Sequence, residues 1–250
     1  MATGINVYNE AGELILDNSR KILCTTNNPI SSSSTMKRTD YFDFLAYYYD
    51  ASTSAAQSLQ HGAAFDLPYV DGSEDAVWVG CTDASVNFFA FSATQLGFYP
   101  YVQNKSVAYK HVATRVPDRV TSDEAYMVVY NEAGEICWSA ASLLRSVRII
   151  GFMTLTNGML WNKSVMSFTV PPDYPIGDIY VPMFTGVSAS FYNADGGSPS
   201  YLHSLIFKFS GNTVYAKLFA NSQELSGVGS KDAVWTGGTR LIPIAYIPAL

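Results

Sequence analysis

The chain has 250 residues and a mass of 27.3 kDa, with 15 Lys and Arg against 21 Asp and Glu, a net charge of −6 and a pI near 5.0. That acidic balance, with only Arg20-Lys21 and Lys37-Arg38 as adjacent basic pairs, argues against a nucleic-acid backbone as partner. No run reaches the roughly 18 apolar residues of a membrane span, and Cys24, Cys81 and Cys137, far apart and without a CxxC pair, indicate neither a zinc ribbon nor a disulfide scaffold.

Charged residues make up only 14% of the chain and aromatics another 14%, with 17 Tyr and 14 Phe, a balance that favours strands over helices. No signal-like segment is read at the start: Met1-Ala2-Thr3-Gly4 leads straight into the first element, so a reduced protein made in a cytoplasm is expected. Two sequon matches, Asn104-Lys105-Ser106 and Asn162-Lys163-Ser164, therefore carry no weight. The first element is a β-hairpin. Ile5 and Val7 alternate with Asn6, Asn9-Glu10-Ala11-Gly12 interrupts, and Leu14 and Leu16 resume the alternation. Asn9 opens the turn and Gly12 supplies a left-handed residue, as in a type I turn closing into glycine.

Next comes a stretch at 31–61 that starts with four serines and carries Tyr41, Phe42, Phe44, Tyr47, Tyr48 and Tyr49. Consecutive aromatics on a strand point to opposite faces, so at least one ring of Tyr47-Tyr48-Tyr49 leaves the domain's own core. These six aromatics are the candidate interface, because tyrosine offers an apolar face and a polar tip. Residues 51–61 also fit a helix. Asp71-Gly72-Ser73-Glu74-Asp75 reads as an exposed turn rather than a cation site. Ala76-Val77-Trp78-Val79 and the run Val86-Asn87-Phe88-Phe89-Ala90-Phe91 read as half-buried strands. A polar linker with one proline is expected at 116–123.

The second half opens as the first did. Val7-Tyr8-Asn9-Glu10-Ala11-Gly12-Glu13 recurs unchanged as Val129-Tyr130-Asn131-Glu132-Ala133-Gly134-Glu135, at an offset of 122. Asn131 and Gly134 take the turn roles of Asn9 and Gly12. Residues 139–148 fit either a helix or a strand at 146–150, and the strand is preferred. Ser204-Leu205-Ile206-Phe207-Lys208-Phe209 reads as a further strand. A repeat at this spacing is a duplicated domain and not a solenoid, whose periods run roughly 20–50 residues.

Fainter matches follow. Leu67-Pro68 aligns with Val170-Pro171 and Phe88-Phe89 with Phe191-Tyr192, both at an offset of 103, and residues 104–110 resemble 211–217 at 107. The drop from 122 to 103 places about 19 extra residues in the first copy, and 31–61 is the natural place for them. The expected architecture is all-β: a first β-sandwich-like domain at 1–120 with its insert, and a second at 125–250.

Catalytic chemistry finds no foothold in the sequence. There is no His-Glu-x-x-His, no Gly-x-Ser-x-Gly and no phosphate-binding loop; Gly227-Val228-Gly229-Ser230-Lys231 has the wrong spacing for one. His61, His111 and His203 lack ligating neighbours at metal spacing. No catalytic residue, metal ligand or cofactor is therefore assigned, and a non-enzymatic protein is expected.

Gly4-Ile5-Asn6-Val7-Tyr8-Asn9-Glu10-Ala11-Gly12-Glu13-Leu14-Ile15-Leu16-Asp17 resembles the opening hairpin of an uncharacterised family of tailed-bacteriophage virion proteins, which also carry a late segment like Thr169-Val170-Pro171. The second copy departs from that pattern at Trp138-Ser139. The resemblance implies a structural protein of the virion, at the tail tip or associated with a tail fibre or baseplate, made in the host cytoplasm and serving assembly or host attachment. Its expected partners are other virion proteins and further copies of itself, a trimer about a tail axis being the expected form. The alternatives are a lectin-like module for a host glycan or receptor, and a capsid decoration protein.

Overall fold

In the computed structural model the described residues are 7–8, 14–16, 24–25, 29–37, 45–49, 51–52, 56–68, 76–90, 94–115, 128–130, 134, 136–139, 147–159, 164–183, 203–220, 235 and 237–248. The protein is all-β, built of two β-sandwich-like halves. The first half carries β1 (Val7–Tyr8), β2 (Leu14–Leu16), β3 (Cys24–Thr25), β4 (Ile30–Thr35), β5 (Leu45–Tyr49), β6 (Ala56–His61), β7 (Ala63–Asp66), β8 (Ala76–Gly80), β9 (Asn87–Ala90), β10 (Gln95–Tyr99) and β11 (Ser106–Arg115). The second carries β12 (Val128–Tyr130), β13 (Ile136–Ser139), β14 (Arg148–Leu155), β15 (Val165–Thr169), β16 (Ile179–Pro182), β17 (His203–Ser210), β18 (Thr213–Ala220) and β19 (Arg240–Tyr246), with a 3₁₀ turn at Ile176–Asp178.

The two opening hairpins have the same register. Val7 pairs with Leu16 and Tyr8 with Leu14; Val129 pairs with Trp138 and Tyr130 with Ile136, with the same irregularity between the two pairs. Gly134 has φ +76 and open space where a Cβ would stand, so backbone conformation and not packing requires glycine there. Asn9, Gly12 and Asn131 lie outside the described residues.

Two larger antiparallel sheets face each other. One has the order β15-β18-β17-β9-β10-β7; the other has β14-β19-β16-β8-β11-β3, with β4 also paired to β11. Period-2 alternation sends Phe88, Leu96, Phe98, Phe207 and Val214 of the first sheet and Val77, Val79, Val181 and Ile244 of the second into one apolar layer between them. Each half supplies strands in the same sequence: β7, β8, β9, β10 and β11 in the first match β15, β16, β17, β18 and β19 in the second. The single strand β14 takes the place that β3 and β4 share along one edge of β11. Leu67 and Val170 confirm the match. Both are buried, and their N–H groups donate to the carbonyls of Thr94 and Asn212, just before β10 and β18 respectively, at 2.8 Å in both cases.

The halves do not keep separate cores. They meet edge to edge in both sheets, β9 against β17 and β8 against β16. Further sequence expectations change as well. Residues 104–110 and 211–217 share a left-handed turn residue, Asn104 at φ +61 and Gly211 at φ +59, but lead into β11 and β18, which are not counterparts. The counterpart of β9 is β17, while Phe191-Tyr192 lies outside the described residues. Within 51–61, the residues 56–61 form strand β6 and not a helix, because β5 supplies a pairing partner. Strand β4 has its match in β14, so the segment without a counterpart among the described residues is the β5–β6 hairpin.

The junction between halves is tight at Gly80. A Cβ there would lie 2.5 Å from the backbone oxygen of Ile179 in the second half. Gly80→Ala should therefore cost about 1–3 kcal/mol, the usual penalty of overpacking against a backbone that cannot yield. Chemical denaturation measures it, and an unchanged midpoint would mean that the two halves are not held at this spacing.

Candidate functional site

The β5–β6 hairpin holds the aromatic residues singled out from the sequence. Leu45 pairs with His61, Ala46 with Gln60, Tyr47 with Leu59 and Tyr49 with Ala56, with an irregularity between Tyr47 and Tyr49. Tyr47, Tyr48 and Tyr49 thus occupy successive positions of one strand in a two-stranded sheet. Tyr41, Phe42 and Phe44 lie outside the described residues.

The turn after β5 is seated on the outer face of the six-stranded sheet. Ala51 is fully buried and packs with Phe89, Tyr99 and Ile206, with Tyr215 beside them. Its N–H donates to Asn87 Oδ1 at 2.9 Å, and Asn87 Nδ2 donates to the carbonyl of Tyr99 at 3.3 Å. A buried amide side chain must be bonded to be tolerated, and here its bonds fix the hairpin to the fold. Phe89 and Ile206 face each other across the β9–β17 junction. The turn therefore rests where the two halves meet. Nothing in the sequence marks Asn87 or Ala51, because their partners are remote in the chain.

The outer face of the seven-stranded sheet is also apolar. Trp78, Val112, Tyr180, Ala245 and Ile247 form a buried cluster there. Trp78 Nε1 donates to Thr114 Oγ1 at 3.1 Å, and that hydroxyl donates to the carbonyl of Ala76. Lys110 pairs with Gly80 in the register of β11 and β8, and its ammonium meets Asp178 of the second half at 2.9 Å. Burial, with the Asp178 charge nearby, pushes the Tyr180 hydroxyl well above its ordinary range, and it has no hydrogen-bond partner among the described residues. Toward the β14 edge the face opens: Ile149 is 43% exposed, Phe152 50% and Leu241 60%.

Among the described residues the titratable groups do not converge on one site. Asp83 is partly buried, which raises its pKa, but hydrogen bonds from Ser85 and Lys105 and the Lys105 charge outweigh burial and hold it below the usual range. These three residues tie the β8–β9 loop to the turn before β11, with Lys105 Nζ 3.0 Å from the Asp83 carboxylate. Burial pushes the Cys81 thiol up to about 12, so it is an inert packing residue of the core. Among the described residues no group of three His, Cys, Asp or Glu side chains could hold a metal ion.

His111 is the one histidine whose side chain is described, and it is buried. It stands opposite Val79 in β8 and Ile30 in β4. The register of β16 and β19, which pairs Tyr180 with Ala245, sets Ile244 opposite Val181 in the second half, so His111 takes a position that the other copy gives to isoleucine. One ring nitrogen, Nε2, lies 2.8 Å from the Pro68 carbonyl, and the other has no partner among the described residues. Burial lowers its pKa, against a smaller opposing effect of the Pro68 bond.

A protein-family model described as a domain of unknown function, DUF8377, matches residues 1–224, and the chain belongs to that family. No curated protein and no solved structure matches the chain.

A histidine held neutral by burial contributes stability that is complete above its ordinary pKa of 6.5 and is lost as pH falls from there toward the depressed folded value. The melting temperature should therefore drop as pH falls from about 7 to about 5. His111→Gln, which keeps a donor for Pro68, should flatten that fall relative to the unaltered chain. Equal slopes in the two proteins would mean that His111 is protonated as readily folded as unfolded.

Proposed function

We propose that this member of the DUF8377 family is a non-enzymatic structural protein of a bacteriophage virion. It acts at the tail tip or in association with a tail fibre, and works by contact with other virion proteins and with copies of itself. The observation that carries the proposal is the β5–β6 hairpin. It places Tyr47, Tyr48 and Tyr49 in one strand of a two-stranded sheet, without a counterpart among the described residues of the second half, and its turn is fixed on the main sheet through Asn87. A two-stranded ribbon has no core of its own. A ribbon anchored at its turn carries the three tyrosine positions on a fixed base.

Three features support the proposal. The opening hairpin resembles that of tailed-phage virion proteins, as its sequence indicated. Charge is sparse at 14%, which leaves little repulsion between copies. Ile149, Phe152 and Leu241 add exposed apolar surface. A trimer about the tail axis is the form we propose, and the assembled virion is the proposed location.

Replacing Tyr47, Tyr48 and Tyr49 together by Ser tests the hairpin. The melting temperature of the isolated chain should shift by less than about 3 °C, equivalent to roughly 1 kcal/mol for a chain of this size. Incorporation into particles, or self-association measured by light scattering, should fall about ten-fold, the loss that roughly 1.4 kcal/mol of contact energy produces. A large loss of melting temperature with assembly intact would make the rings ordinary core. Unchanged assembly with lost binding on a glycan array would move the function to carbohydrate recognition.

A further inference from the structure

We infer that the surface between the two halves is a subunit-type interface able to form between separate polypeptides, so that each half is a binding partner for the complementary half of another copy of this chain. The inference is independent of the virion reading.

Its basis is the symmetry of the junction. One row of residues crosses the six-stranded sheet from edge to edge: Ala63, Phe98, Phe88, Phe207, Ala216, Met166, each paired with the next. The row reads the same from both ends in terms of strands, running β7, β10, β9 and then β17, β18, β15. Phe88 and Phe207 meet at its centre with ring centroids 5.8 Å apart. In the other sheet Val79 meets Val181 in the same antiparallel way. Counterpart strands that pair antiparallel with each other in both sheets are related by a two-fold axis, the arrangement of an isologous dimer interface.

The chemistry of the junction is also that of an obligate interface. Val79, Val181, Phe88 and Phe207 are at most 1% exposed on the inner side, and Phe89 and Ile206 are buried on the outer side. Such an interface resembles a domain core cut in half. Lys110 and Asp178 add one ion pair between the halves, at 2.9 Å. These contacts are made by the strands and by the 3₁₀ turn before β16, none of which requires a covalent link between the halves. A first half that left its own partner would present the unpaired edges of β8 and β9, which fit β16 and β17 of any other copy. This is the geometry of domain exchange.

The test uses the full chain with a specific protease sequence inserted after Asp118 and cut to completion. The cut protein should elute in size-exclusion chromatography with light scattering as one species with the mass of the intact chain. Cut protein of ordinary isotopic composition and cut protein labelled with ¹⁵N are then unfolded together in urea and refolded. Native mass spectrometry should show hybrids of one light and one heavy half. Separation of the halves after cutting, or refolding that yields isolated or aggregated halves and no hybrids, would overturn the inference.

Discussion

The meeting of Phe88 with Phe207 at the centre of the six-stranded sheet is the contact on which the rest of the fold depends. It joins β9 to β17, and with Val79 against Val181 it turns two sets of strands into two continuous sheets. Burying a large apolar side chain stabilises by about 1.5–3 kcal/mol relative to leaving it in water. Either half alone would expose these residues along open strand edges, which carry unpaired backbone groups as well. The junction covers both at once. Gly80 follows from the same constraint: the backbone of Ile179 comes too close for a side chain. The buried turn at Ala51 follows too, because Phe89 and Ile206 become a single apolar seat only when the halves are joined.

The duplication was legible in the sequence because the hairpin is specified locally. Asn, Gly and the flanking alternation dictate a turn and a register without reference to anything distant, and both copies adopt the same pairing. Strands β8, β9 and β17 were legible for a similar reason, since period-2 alternation with Val, Phe and Trp fits a half-buried strand. The joining of the halves was not legible. An edge that pairs with another copy has the same composition as an edge that pairs within its own copy, so alternation cannot say where a strand's neighbour comes from. The expectation of one β-sandwich-like domain at 1–120 and a second at 125–250 is silent on that joining. The helical option at 51–61 failed because pairing with β5 decides the conformation of β6, and local propensity is weak there.

The candidate site was legible only in part. The run Tyr47-Tyr48-Tyr49 stood out as a composition anomaly, and the structure places it in a hairpin that the second half lacks among its described residues. What fixes that hairpin was invisible in sequence: Asn87 bonds Ala51 over a separation of 36 residues. His111 was readable as a histidine without ligating neighbours but not as the counterpart of Ile244, because that equivalence needs the register of both sheets. The hairpin's anchoring at the junction also connects stability to the proposed contact role. A ribbon whose turn is seated where the halves meet is held by both of them.

The shared core is tested most directly by differential scanning calorimetry of the intact chain at neutral pH. Two halves joined through Phe88, Phe207, Val79 and Val181 should unfold as one cooperative unit, so the calorimetric enthalpy should equal the van't Hoff enthalpy, a ratio of about one. A ratio near about two, or two resolved transitions, would show that the halves unfold independently and would contradict the joined sandwich.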